Sequence, residues 1–344
     1  MSCASNRRRL PKWTLKTASW IARIALIAGC LAYALSGVDI GQVADTLASY
    51  SLPHLAAGFG ILVAIFTFMG LRLWALARGE MTPLKGITAS TLSFGLNNIL
   101  PARLGELIKG LYLFRKGNIT LGQTASVIFV ERLLDLFAMV VLIVVSVAVG
   151  TDIPGAQFLV LAATTLLVTL AFLVWKPGVF ERLITFMPTE RLRGFLRQVT
   201  AALLEFANAR RLSAPVAFSA LQWCSSLVQA YIIMNLLAGL DLTPLQILTT
   251  FCLITLGAAI PAAPAGLGMF EGAMVATLGW YGVDKSTALA VAITYRGFMF
   301  VPPTLCALAI LAVTGLRVDF TAKCNAEMTG SEATHLAEDQ ENQA

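Results

Sequence analysis

Long apolar runs dominate this chain and restrict the folds open to it. Several of them approach the ~20 residues that a helix needs to cross a bilayer. Hydrophobic residues make up 57% of the 344 residues and charged residues only 13%, whereas a soluble domain carries roughly 25% charged residues. The mean hydropathy is +0.77. The sequence therefore predicts an all-α polytopic membrane protein.

Two of the apolar stretches differ from ordinary spans. Residues 87–100 are too short to cross and run into a charged segment, while residues 246–281 are interrupted by prolines and glycines. Irregular backbone survives at membrane depth only where protein or water covers it, so both stretches predict re-entrant helical hairpins. With about eight apolar segments in all, the six full spans are expected near 17–36, 55–77, 123–150, 157–175, 214–237 and 286–316.

The distribution of Lys and Arg predicts the orientation. Cytoplasmic loops of membrane proteins carry an excess of these residues, and six spans with two hairpins place every basic loop on one side. We therefore expect a multi-pass protein of the cell (inner) membrane with both termini in the cytoplasm. The formal charge of +6 then reflects orientation, and we expect no nucleic-acid partner. The basic segments are 1–16, 78–86, 103–116, 176–211 and 317–323; those without Lys or Arg are 37–53, 151–156 and 238–245.

The same pattern divides the chain into three parts. Residues 1–16 form a basic cytoplasmic arm, and residues 17–318 form a single transmembrane domain. Residues 319–344 are acidic and polar, which predicts a disordered tail. Six scattered cysteines and two histidines indicate neither disulfides nor a metal site. Nucleotide-binding and hydrolase motifs are missing from the sequence, so we expect no cofactor and no enzymatic activity.

A short motif occurs twice. Pro101-Ala-Arg-Leu-Gly105 precedes Arg132, and Pro264-Ala-Gly-Leu-Gly268 precedes Arg296; proline and arginine are 31 residues apart in the first copy and 32 in the second. Three predicted spans lie between the two motifs. Because an odd number of spans reverses the direction of the chain in the membrane, the second motif is oriented opposite to the first. The sequence thus predicts an inverted repeat, with copies at about 55–150 and 214–316, as in alternating-access transporters. The hairpin and hinge residues are Pro101, Gly105, Pro261, Pro264, Gly266 and Gly268.

Charged residues inside the apolar segments are the candidate binding residues. Glu131, Arg132 and Asp135 precede only 14 mainly apolar residues, so their helix must begin before them and carry them into or beside the hydrocarbon region. Ions are costly there and usually have a function, although such a cluster can also be a neutralised pin between helices. Arg296 lies well inside the last span and needs a carboxylate from elsewhere, either Glu271 or the Glu131/Asp135 pair.

A basic face is predicted after Pro101. Arg103, Glu106 and Lys109 follow one another at a spacing of three residues and therefore share one side of a helix. Such a face suits a phosphate head group; the alternative is solvated ion pairs that report only orientation. The candidate substrate-binding residues are Arg103, Glu106, Lys109, Glu131, Arg132, Asp135, Glu271 and Arg296.

These motifs resemble a known family. Pro101-Ala-Arg-Leu-Gly-Glu106 with Val130-Glu-Arg-Leu-Leu-Asp135 resembles the first signature of the lysylphosphatidylglycerol synthase transmembrane-region family. Ile260-Pro-Ala-Ala-Pro-Ala-Gly-Leu-Gly268, followed by Glu271, Gly282-Val283, Ala288-Leu289 and Tyr295-Arg296, resembles its second signature. The resemblance extends over roughly residues 15–318 and implies a lipid flippase. Since the chain continues only to Ala344 after the last predicted span, we expect no aminoacyltransferase domain.

The leading expectation is a transporter that moves a polar-headed lipid between leaflets. The resemblance implies an aminoacyl-phospholipid, a hopanoid or a polyprenyl-linked lipid as substrate, and lipid-biosynthesis enzymes as possible partners. Two alternatives remain open: a membrane-embedded transferase or accessory factor for a lipid-linked sugar, and a small-solute secondary transporter.

Overall fold

The computed structural model describes most of the predicted membrane domain. It describes residues 29–30, 32–77, 80–100, 103–116, 119–150, 209–259 and 266–314, with isolated positions 161, 165 and 193. The predicted arm, the tail and the predicted span 157–175 fall wholly or largely outside these residues. The hairpin residues Pro101, Pro261 and Pro264 also fall outside them.

The described residues form helices, with no strand among them. In chain order these are α1 (Ile40–Ala48), α2 (Leu52–Leu76), α3 (Pro83–Ile99), α4 (Leu104–Lys116), α5 (Leu121–Ala148), α6 (Ala209–Tyr231), α7 (Pro244–Ala259), α8 (Met269–Trp280) and α9 (Lys285–Thr314). Helix α6 continues into a π-helical segment, Ile232–Leu237.

Three described helices are long and apolar enough to cross a bilayer: Leu52–Leu76, Leu212–Leu237 and Lys285–Thr314. They coincide with three of the predicted spans. Helix α5 has 28 residues, or roughly 42 Å at 1.5 Å per residue, but its three ionised residues interrupt the apolar run. The prediction of a helical membrane protein is confirmed.

The two halves of the described chain have the same order of helix lengths. A long helix (α2 or α6) is followed by a pair of short ones and then by another long helix (α5 or α9). The short pairs have 17 and 13 residues in the first half and 16 and 12 in the second. These pairs lie where the sequence predicts hairpins.

The pair α3–α4 is held together at its turn. The backbone N–H of Gly105 donates to the Oδ1 of Asn97 at 2.8 Å. A Cβ at Gly105 would come within 2.2 Å of the Ser93 carbonyl oxygen, so a larger residue there would push the two helices apart. This contact positions the start of α4, whose first turn carries Glu106 and whose second turn carries Lys109.

The pair also packs on α9, beside two prolines inside that helix. Pro303 has no N–H, so the Met299 carbonyl oxygen loses its usual helical partner. The Nδ2 of Asn98 donates to this oxygen at 3.2 Å and lies 3.1 Å from the Oγ1 of Thr304. A Cβ at Gly95 would come within 2.2 Å of the Pro303 carbonyl oxygen. The first helix pair is therefore fixed against the helix that carries Arg296.

The start of α9 is anchored by α1. The Nε2 of Gln42 donates to the Oδ1 of Asp284 at 3.0 Å, and the backbone N–H of Thr287 donates to the same oxygen at 2.9 Å. Partial burial alone would raise the pKa of Asp284, but hydrogen bonds from Thr287 and Ser286 outweigh it and hold the pKa below its ordinary value. Asp284 therefore stays ionised at the N-terminus of α9, where a negative charge is favourable.

Candidate functional site

Among the residues that the structure describes, six ionised side chains from three helices form one cluster, which we call the charged network. It contains three cations and three carboxylates, so its net charge is zero. Each carboxylate contacts at least two of the cations. The members are Arg72 from α2, Glu106 and Lys109 from α4, and Glu131, Arg132 and Asp135 from α5.

Glu131 is the centre of the charged network. It is fully buried, and so are its two strongest partners. The Nη2 of Arg72 donates to its Oε1 at 2.9 Å, and the Nζ of Lys109 donates to its Oε2 at 2.8 Å. Arg132 adds a contact to the Oε1 at 3.2 Å. A carboxylate with both oxygens occupied by cations offsets much of the cost of taking these charges out of water.

The other two carboxylates lie at the rim of the network. Asp135 accepts from the Nη1 of Arg72 at 2.5 Å and pairs with Arg132 at 3.2 Å. Glu106 pairs with Lys109 at 2.9 Å and with Arg132 at 3.5 Å. Both side chains are about one-fifth exposed, and that of Arg132 is 43% exposed. Arg132 is thus the most exposed cation of the network.

Arg296 has a site of its own, which we call the Arg296 site. Its guanidinium pairs with the carboxylate of Glu271, and its Nη2 donates to the Gly266 carbonyl oxygen at 2.9 Å. The guanidinium carbon also lies 5.0 Å from the ring centre of Phe270 and 5.1 Å from that of Phe300. Such cation–π contacts stabilise a desolvated cation.

The turn before α8 positions Glu271. The backbone N–H of Gly268 donates to the Oε2 of Glu271 at 2.8 Å, an arrangement in which the third helical residue caps the start of its own helix. Gly268 has φ +80° and Gly266 has φ +67°, a region that residues with a Cβ rarely adopt. Of the two partners that the sequence allows for Arg296, Glu271 is the one placed against it.

The structure brings together most of the candidate residues but not all of them. Glu106, Lys109, Glu131, Arg132 and Asp135 meet in the charged network, and Glu271 meets Arg296. Arg103 is exposed at the start of α4 with φ +56°, and among the described residues it joins no ion pair of the network. Within the described part of the chain, no three His, Cys, Asp or Glu side chains are grouped so as to hold a metal ion.

Sequence reasoning missed Arg72. It lies four residues before the end of α2, where an arginine is usually explained by the positive-inside rule. The structure buries it completely and gives it contacts with Glu131, Asp135 and the Oγ of Ser219. Two features of the sequence could have indicated it. Arg72 lies within the apolar run Leu52–Leu76, and the two carboxylates Glu131 and Asp135 need one more cation than Arg132 provides.

The two sites use the same type of cross-helix pair. Glu106 of α4 pairs with Arg132 of α5, and Glu271 of α8 pairs with Arg296 of α9. Each carboxylate is in the first turn of the second short helix of its half. Each arginine is in the long helix that follows. All four residues lie within the two signatures that carry the family resemblance.

Comparisons with known proteins identify the family to which this chain is similar. The family model described as the lysylphosphatidylglycerol synthase TM region matches residues 20–307. A UPF0104 membrane protein of Methanothermobacter thermautotrophicus is 25% identical over 240 residues, 61% of this chain and 69% of the relative. One from Methanocaldococcus jannaschii is 27% identical over 204 residues, 58% and 86% of the two chains. One from Pyrococcus horikoshii is 24% identical over 282 residues, 71% and 84%.

The matched region contains every helix described above except the last turns of α9, together with both charged sites. The sequence-based resemblance is therefore confirmed. This chain belongs to the family of the lysylphosphatidylglycerol synthase transmembrane region.

Proposed function

We propose that this protein is a lipid transporter, a flippase, that moves a polar-headed lipid between the two leaflets of the cell's inner membrane. The observation that carries the proposal is the charged network, in which buried ions neutralise one another and the guanidinium of Arg132 remains partly exposed. Ionised groups in membrane-spanning segments are costly and usually face a substrate path. The two helix pairs, each followed by a long arginine-bearing helix, supply the scaffold.

The network suits exchange of one anion for another. In the absence of substrate, Glu106 and Asp135 neutralise Arg132. A phosphate head group offers the same oxygen geometry to a guanidinium and binds it in a bidentate manner. Replacing a carboxylate by a phosphate keeps the arginine paired throughout, so the head group enters without leaving an unpaired ion. The displaced carboxylates remain beside Lys109 and Arg72.

The similar order of helices in the two halves supports an inverted repeat with two re-entrant hairpins. In this arrangement the charged network serves one leaflet and the Arg296 site serves the other, as gates of an alternating-access cycle. Asn98 of the first helix pair donates a hydrogen bond to α9. A displacement of this pair therefore also displaces the helix that carries Arg296. The acyl chains stay in the bilayer while the head group moves between the sites.

The lipid is one with a phosphate or other oxygen-rich head group. An aminoacyl-phospholipid, a hopanoid with a polar head and a polyprenyl-linked lipid all satisfy this condition. Enzymes that synthesise such a lipid are the expected partners. The excess of Lys and Arg in the basic loops supports a topology with both termini in the cytoplasm.

A reconstitution experiment tests the proposal. The purified chain is placed in liposomes with a fluorescent phospholipid, and dithionite then destroys the fluorescence that reaches the outer leaflet. We expect faster loss of the inner-leaflet signal than in empty liposomes. We also expect Arg132→Ala and Arg296→Ala to slow translocation about tenfold or more, since each removes a head-group contact.

Lys116→Ala is the matched control, because Lys116 is an exposed cation at the end of α4 and lies outside both sites. It should translocate lipid at the rate of the unaltered protein. Equal rates for all variants would refute the assignment of the sites. A rate equal to that of empty liposomes for the unaltered protein would refute the proposed function itself.

A further inference from the structure

Helix α6 carries a row of polar side chains through an otherwise apolar span. They recur at intervals of three and four residues, so they occupy one face of the helix. We call this row the α6 stripe: Ser219, Gln222, Ser226 and Gln229, with the indole of Trp223 beside them. From first to last it extends ten residues, about 15 Å, or roughly half the ~30 Å hydrocarbon core.

The stripe contains polar groups that are buried without partners. Gln229 is fully buried, and among the described residues neither its amide oxygen nor its amide nitrogen has a hydrogen-bond partner. The same holds for the Oε1 of Gln222 and the Nε1 of Trp223. Native proteins satisfy most such groups, and hydrocarbon offers no substitute. Three neighbouring exceptions on one helix face leave hydrogen-bonding groups there that a ligand could use.

One end of the stripe touches the charged network. The Oγ of Ser219 lies 3.4 Å from the Nη1 of Arg72, and Arg72 holds Glu131 and Asp135. The other end reaches α2 and α9. A Cβ at Gly58 would come within 3.5 Å of the Nε2 of Gln229 and 2.8 Å of the ring of Phe298. Phe298 is two residues beyond Arg296, about 3 Å along the axis of α9.

The backbone changes its winding immediately after the stripe. Residues Ile232–Leu237 form a π-helix, and the N–H of Ala238 donates to the Ile233 carbonyl oxygen, five residues back, at 3.2 Å. Single π-helical turns inside α-helices often occur at functional sites. The segment places a break in regular winding within one turn of Gln229.

We propose that the α6 stripe is the path along which the hydrogen-bonding part of the lipid head group moves between the charged network and the membrane interior. This inference rests on the proposed function and identifies which feature of the head group the protein recognises. The amides of Gln222 and Gln229 both donate and accept, and the indole donates. The stripe itself carries no charge, so it selects a head group by its N–H and O–H groups while the arginines hold its phosphate.

A matched pair of lipids tests the recognition. Phosphatidylethanolamine and phosphatidylcholine are both zwitterionic, but only the first has N–H donors in its head group. With acyl-chain-labelled versions of both in the liposome assay, we expect Gln222→Leu and Gln229→Leu to slow phosphatidylethanolamine at least fivefold more than phosphatidylcholine. An equal effect on the two lipids, or no effect on either, overturns the inference.

A second measurement does not depend on transport. In a variant without native cysteines, Ser226→Cys places a thiol on the stripe, and Val228→Cys places one on the exposed, apolar side of the same helix. A hydrophilic methanethiosulfonate reagent reacts only where water enters. We expect Ser226→Cys to react at least tenfold faster than Val228→Cys in liposomes.

The two measurements separate the possible failures. Equally slow reaction of both cysteines shows that the stripe is a dry contact between helices and overturns the inference, whatever the rate of lipid transport. Absence of transport by the unaltered protein instead overturns the proposed function, and the head group is then excluded as the occupant even if Ser226→Cys reacts rapidly.

Discussion

The charged network and the Arg296 site stabilise buried ions in different ways. The network joins six ionised side chains from three helices, and its centre, Glu131, depends on Arg72 and Lys109. At the Arg296 site, the contacts described above are the ion pair with Glu271, a backbone carbonyl, a helix start and two aromatic rings.

We therefore expect the two sites to differ in how well they tolerate substitution of a charged side chain. Removing one ion from the centre of the network leaves the others with an unbalanced charge in a buried place. At the Arg296 site, the backbone and the rings remain when one side chain is changed. Within the network, the side chains at the centre are buried, whereas that of Arg132 is partly exposed. Four substitutions test this ordering, from the largest expected effect to the smallest.

Glu131→Ala should have the largest effect on stability. It leaves Arg72 and Lys109 buried with too few carboxylates, and breaking a buried pair in this way costs about 3–5 kcal/mol. We expect a strongly lowered Tm in detergent, measured by tryptophan fluorescence. The double variant Glu131→Gln with Lys109→Met restores a neutral network and should melt above either single variant. A Tm for Glu131→Ala close to that of the unaltered protein would contradict the central role of Glu131.

Glu271→Ala should have the next largest effect. It removes the carboxylate of Arg296 and the acceptor of the Gly268 N–H together, and a hydrogen bond to a charged group contributes about 1.5–3 kcal/mol. Glu271→Gln keeps an acceptor for Gly268 but lacks the charge, so its Tm should lie between those of the unaltered protein and Glu271→Ala. If the glutamine and alanine variants have the same Tm, the hydrogen bond from the Gly268 N–H does not contribute to stability, and the site depends on the charge of Glu271 alone.

Asn98→Ala should weaken the connection between the two regions. It removes the donor to the Met299 carbonyl oxygen, a bond whose net contribution is about 1 kcal/mol. We expect a modest fall in Tm and faster hydrogen exchange in α9 near Pro303. Thr304→Val removes a single acceptor of Asn98 and should have a smaller effect. An unchanged exchange rate in α9 would show that the hydrogen bonds of Asn98 do not stabilise this part of α9.

Arg132→Ala should have the smallest effect on stability. Its side chain is 43% exposed, and half-exposed ion pairs contribute about 0–1 kcal/mol. Each of its carboxylate partners keeps another cation. We expect nearly unchanged Tm together with impaired lipid translocation, and Lys116→Ala as the control for both. Destabilisation as large as that of Glu131→Ala would show that Arg132 is a structural pin.

Much of the fold could be predicted from patterns along the chain. The runs around α2, α6 and α9 are long and apolar, so their length and composition alone indicate spans. The broken stretches indicated the two short helix pairs, because Pro and Gly disfavour a continuous helix. Pro302 and Pro303 nevertheless lie inside α9, where the rest of the helix continues past them. The inverted relation of the halves stays a prediction, because it concerns orientation in the bilayer.

The candidate site could be predicted only in part. Glu131, Arg132 and Asp135 are conspicuous because charges interrupt an apolar helix. Arg72 was missed because it lies near a helix end, where the same residue type serves orientation. The unpartnered amides of α6 were missed too, since glutamine in a span looks unremarkable until its neighbours are known.

The sequence by itself determined that this is a helical membrane protein of the lysylphosphatidylglycerol synthase transmembrane-region family. It also identified most of the charged residues of the two sites. Those conclusions depend on composition and local spacing, which the chain carries without folding. Only the tertiary structure decided which ions meet. Arg72 and Glu131 are 59 residues apart, and Lys109 and Glu131 are 22 apart. Such pairings depend on how helices pack, and hydrocarbon penalises any ion that packing leaves alone.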